Sequence, residues 1–149
     1  MRTKLRYAAI AALVMAAAIQ FIQPDRTNPP ADPAASFEAL MAPPKEAVAV
    51  IHRACQDCHS NQTVWPWYSR VAPVSWLVAH DVKEGRARLN LSEWNRLGAE
   101  MAALRVKAMC QETRKGEMPI GTYKLMHPAA RLTEADATAL CSVLPASKM

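Results

Sequence analysis

Hydrophobic and polar positions divide the chain into three regimes. From Tyr7 to Ile22 the sequence is an Ala-rich apolar run interrupted only by Gln20 and preceded by Arg2, Lys4 and Arg6. Between Gln23 and Pro44 no period is sustained, and six of the eleven prolines gather there. Beyond Pro44, apolar residues recur three and four positions apart, the spacing of one helix face. This pattern predicts a helix over 45–54 with Val48 and Ile51 on one side, and a second over 74–84 carrying Trp76, Leu77 and His80 and stopping at Gly85. A third is predicted after Asn90, which with Glu93 forms a capping signal, with Trp94, Leu97, Met101, Leu104 and Ala108 inward and Gly116 as its stop. Thr133 and Asp136 open a fourth, which runs through Ala137, Leu140, Cys141 and Leu144 to Pro145. No strand-like alternation competes, so the expected fold class is all-α.

The first regime reads as an export segment, residues 1–22. Its length suits a signal-peptide core and is slightly short for a free-standing membrane helix, which takes about 17–25 residues. The bulky Ile19-Gln20-Phe21-Ile22 offers no small-x-small cleavage site, so an uncleaved anchor is expected over a cleaved signal peptide. Three basic residues before the run put the N-terminus in the cytoplasm and the remainder on the periplasmic side of the inner membrane. The second regime, 23–43, reads as a Pro-rich linker. The third, 44–145, suffices for one small domain. Of the formal charge of +5, Arg2, Lys4 and Arg6 supply three, which leaves 5 − 3 = +2 on the exported part and gives no reason to expect a nucleic-acid partner.

Candidate chemistry is concentrated in Cys55-Gln56-Asp57-Cys58-His59. C-x-x-C-H is the attachment signature of a c-type haem: two thiols three residues apart on a helical turn reach the two vinyl groups, and the next imidazole lies beneath the iron. Cys55 and Cys58 are therefore the expected covalent attachment points and His59 the proximal iron ligand. A zinc site is the weaker reading, because the other two cysteines, Cys110 and Cys141, are thirty-one residues apart. A thioredoxin-like motif would need a preceding strand, whereas Val48, Ile51 and Cys55 recur at helical spacing.

The runs Cys58-His59-Ser60-Asn61, Trp65-Pro66-Trp67-Tyr68-Ser69, His80-Asp81-Val82-Lys83-Glu84-Gly85-Arg86 with Leu89-Asn90-Leu91-Ser92-Glu93-Trp94, and Gly116-Glu117-Met118-Pro119 resemble the bacterial envelope haem-binding domain family. The resemblance covers nearly all of 44–144 and implies a small single-haem domain with a cytochrome-c-like helical fold. Where the family pattern has a second proline after Met118-Pro119, this chain has Ile120.

The iron's other face separates electron transfer from ligand chemistry. Met118 is the expected sixth ligand: it lies between the two best-defined helices, and its Met-Pro dipeptide resembles the distal loop of class I cytochromes c. His80 and His127 are rival ligands, and His52 is expected to be exposed. Trp65, Trp67, Tyr68 and Arg70, with Arg86, are expected to wall the porphyrin or to donate hydrogen bonds to its propionates. An oxidising compartment favours a Cys110–Cys141 disulfide. No nucleophile triad, acid–base pair or phosphate loop is evident. The expectation is a membrane-anchored electron carrier working with redox proteins of the envelope, the alternatives being a haem-based gas sensor and a peroxidase-like enzyme with an open distal side.

Overall fold

The computed structural model describes residues 2–144, all of whose regular elements are helical. The apolar run forms α1, Arg2–Ala18, continued by a 3-10 turn over Ile19–Phe21. No residue of α1 is buried, and Arg2–Phe21 is long and apolar enough to cross a membrane, with a mean hydropathy of 1.4.

The segment expected as a linker is partly folded onto the domain. Asp32 accepts from the Ala34 amide to cap a 3-10 turn at Pro33–Ala35, and Ser36 accepts from the Ala39 amide to cap α2, Phe37–Met41. These short caps deliver Phe37, only 1% exposed, into the core. Its ring meets Trp94 edge-on at 4.7 Å, and its amide donates to the Leu91 carbonyl. Proline content alone misread this stretch, because a single aromatic with two capping residues is enough to fix it.

The first expected helix is α3, Lys45–Ala54, but its buried face is Ala47, Val50, Ile51 and Ala54, with Val48 only half-buried. One turn, α4 (Gln56–His59), follows at an angle set by Cys55. The second is α5, Val74–Arg88, which continues through Gly85 where a stop was expected. The third begins nine residues after Asn90, as α6 at Ala99–Arg114. Asn90 spends its side chain elsewhere, accepting from the Ser92 amide and donating to Asn61, and Trp94 is drawn into the core from a separate 3-10 turn. The inward face of α6 is consequently Ala102, Val106, Met109, Cys110 and Thr113, while Met101 and Leu104, expected inside, are exposed. The left-handed Gly116 ends this helix as expected. A short α7, Gly121–Met126, precedes α8, Glu134–Cys141, whose N-terminus carries the Thr133–Asp136 capping box in full. Pro145, the expected stop, lies outside the described residues.

Helices α3, α6 and α8 pack together around Phe37, Ile51, Trp94, Val106 and Leu140. A disulfide joins Cys110 on α6 to Cys141 on α8 within that core, so neither thiol remains for a four-cysteine metal site.

Candidate functional site

The site is assembled where α4 meets α5. Cys55 closes α3 and starts the next turn, its carbonyl accepting from the His59 amide at 2.9 Å. Ser60 is extended and ends the turn. Helix α5 crosses this turn at Gly85, where a Cβ would be driven into the Cys58 carbonyl oxygen, with the carbonyl carbon only 3.0 Å away. Glycine in mid-helix costs about 1 kcal/mol relative to alanine, so this one is retained for the close approach.

That approach fixes the imidazole. His59 Nδ1 lies 3.0 Å from the Gly85 carbonyl and 3.1 Å from the Leu89 carbonyl, two acceptors that require Nδ1 to carry the proton. Nε2 is then the unprotonated nitrogen, and no hydrogen bond reaches it among the described residues. Burial holds the His59 pKa below its ordinary value, against the pull of the two carbonyls, so the ring is neutral at pH 7. An oriented, neutral imidazole with its outer nitrogen free is what an iron ligand requires.

Cys55 and Cys58 are both free thiols. Burial pushes Cys55 up to about 12 and Cys58 up to about 11, the latter helped by the Asp57 and Asp81 carboxylates, so both are protonated at neutral pH. The loop after the motif is tied down by polar contacts. Arg86 donates to the Ser60 carbonyl, Thr63 Oγ1 and Asn28 Oδ1, while Asn61 reaches the Pro30 carbonyl.

Beside Cys58 opens a cavity of about 350 Å³. One wall is the α5 face Val74, Leu77, Val78, Asp81 and Val82, spaced as one helical stripe. The opposite wall comes from Ile120 and α7, through Tyr123, Leu125, Met126 and His127. Trp67 and Tyr68 close a third side. Tyr68 Oη and His127 Nε2 are 2.6 Å apart, His127 stacks on Tyr123 at 4.1 Å, and Tyr123 donates to the Asp57 carboxylate at 2.8 Å. Burial and that carboxylate hold the Tyr123 phenol well above its usual pKa.

Of the residues expected at this site, Cys58, Trp67, Tyr68 and His127 line the cavity. Trp65 does not; its indole donates to Asn28. Arg70 is exposed and Arg86 is committed to the loop, so neither faces the cavity. His80 is exposed, and exposed His52 pairs with Glu38 at 2.6 Å. Met118 is half-buried with its amide bonded to the Glu112 carbonyl, and the cavity wall begins two residues later at Ile120. Sequence reasoning missed Asp57, Tyr123 and Met126. It also missed the α5 stripe, although the three-four spacing of Val74, Leu77, Val78 and Val82 was readable.

The residues fit a haem. Cys58 opens directly onto a large apolar cavity, and the neighbouring imidazole is held by its inner nitrogen alone. Fold and site thus define an all-helical haem-binding protein. The sequence model of the haem-binding domain matches residues 14–145, and the chain belongs to that family. No curated protein and no solved structure matches it.

Proposed function

We propose that the protein is a membrane-anchored c-type cytochrome that passes single electrons between partners on the periplasmic side of the membrane. The observation that carries this reading is the His59 imidazole, fixed by the Gly85 and Leu89 carbonyls one residue after two unpaired thiols. Cys55 and Cys58 hold the haem by thioethers, His59 takes the iron from the proximal side, and Met118 is the sixth ligand. Haem supplies the one-electron couple. The chain supplies orientation through α4 and an apolar surround through α5 and α7, with Trp67 and Tyr68 at the rim. Production with a cytochrome c maturation system tests the covalent bond: haem stain should stay with the denatured polypeptide, and extraction of all haem by acid acetone contradicts it.

One observation favours a second reading, a gas-binding or peroxidase-like module. Tyr68 and His127 line the cavity wall whereas Met118 does not. Carbon monoxide separates the two: a firmly six-coordinate ferrous carrier resists it, and an open distal side takes it up readily. In the carrier, Met118→Ala creates that uptake and removes the weak ferric absorption of His/Met ligation expected from the resemblance to cytochromes c.

A further inference from the structure

The end of α1 is clamped to the globular domain. Gln20 grips the backbone of Ala72 from both sides, its Nε2 donating to the carbonyl at 3.0 Å and its Oε1 accepting from the amide at 2.9 Å. Two residues on, the Ile22 carbonyl accepts from the Trp76 indole at 2.7 Å. Arg26 then donates to the Ser69 carbonyl and Asn28 to the Thr63 carbonyl, so four successive anchors seat the segment that follows α1. A Pro-rich linker of this length left free would reach several tens of ångströms, at about 3.1 Å per residue. Here the domain begins where the apolar helix stops.

Around the clamp lie apolar side chains with no protein partner to cover them. Phe21 is 90% exposed and Ile22 66%, next to Val71 and the exposed edge of Trp76. An indole at the end of an apolar span, with its N–H satisfied and one edge exposed, matches the chemistry of the membrane–water interface. The stretch from Val71 to Trp76 also leads directly into the cavity lip at Val74 and Leu77.

We propose that this end of the domain is seated on the lipid bilayer: Phe21, Ile22, Val71 and Trp76 form a rigid mount continuous with α1, which holds the cavity lip of α5 at the membrane surface. The occupant of the apolar patch is the lipid headgroup–acyl boundary. This rests on α1 being retained as an anchor, which the test reads separately.

Full-length holoprotein in phosphatidylcholine–phosphatidylglycerol vesicles, carrying a photo-crosslinking benzoylphenylalanine at Val71 or at the comparably exposed Leu104, tests the mount. Lipid adducts are expected at 71 and absent at 104, and Gln20→Leu combined with Trp76→Phe should remove the adduct at 71. The same double change should speed tryptic cleavage after Arg26, which the clamp half-buries. Vesicle-bound protein with an intact N-terminus that gives equal adducts at both positions, or none, overturns the mount while leaving the anchor standing. Soluble protein beginning beyond Ile22 overturns the anchor, and the mount with it.

Discussion

The two sides of the cavity are built differently. Behind the α4 side, next to Cys58, the polar groups are tied to the protein: His59 Nδ1 to two carbonyls, Ser60 to Gln56, Asn61 to Ser92 and Pro30, and Arg86 to three oxygens. On the α7 side the wall is largely apolar and open, with Leu125 at 72% and Met126 at 49% exposure, and its polar groups are Thr122 and the Tyr68–His127 and Tyr123–Asp57 pairs. The first side can hold its geometry by protein contacts alone. The second is completed by what binds there, since exposed apolar side chains gain their burial only against a ligand. A turn held rigidly on one side and an adaptable wall on the other suit the proposed arrangement, in which His59 would be the fixed ligand and Met118 a ligand from a loop.

The contrast can be broken from either side. The largest expected effect is that of His59→Ala, which removes the proposed proximal ligand; holoprotein should be lost, as read by the absorbance of the purified protein. Next is the disulfide. It closes a loop over a separation of 31 residues and ties together α6 and α8, which flank the distal segment. Cys110→Ala with Cys141→Ala should cost about 3 kcal/mol in denaturant unfolding and loosen the α7 wall while leaving the His59 environment intact. Gly85→Ala attacks the rigid side: with the Cys58 carbonyl in the way, overpacking should cost about 1–3 kcal/mol and disturb the proximal imidazole. Leu125→Ala, at an equally cavity-lining but exposed position, should change apoprotein stability by no more than about 0.5 kcal/mol. If those last two were equal, the two sides would not differ as described.

A small effect is also expected outside the cavity, as a pH dependence. The Thr133 amide and Arg53 hold the Asp136 carboxyl below its ordinary pKa. Its contribution is therefore fully present above the unfolded carboxylate value and is lost as pH falls through the lower folded value. Asp136→Asn should remove part of the acid sensitivity below the ordinary carboxylate range, and stability at pH 7 should fall by about 1 kcal/mol or less, because the pair is partly exposed.

What the sequence made legible follows the same division. The C-x-x-C-H turn, the Thr133–Asp136 cap and the Gly116 stop are local rules that need no tertiary partner, and each could be read directly. Gly85 was misread as a stop because its reason lies in another helix, at the Cys58 carbonyl. Asn90 was misread as a helix cap because Asn61, twenty-nine residues earlier, competes for its side chain. Phe37 was hidden among prolines, and its role emerges only when Trp94 supplies the other ring. The α7 wall was the least legible part, since Tyr123 gains meaning from Asp57 across the cavity rather than from its neighbours in sequence.

In the proposed site, haem is held covalently at Cys55 and Cys58 with the fixed His59 beneath it. Trypsin should release residues 54–70 as one peptide, because Arg53 and Arg70 bound a stretch without internal lysine or arginine. Mass spectrometry of that peptide from matured holoprotein should show it heavier by one haem, with neither cysteine open to alkylation. An unmodified peptide with two alkylatable thiols, from protein that nevertheless carried haem before digestion, would contradict the account.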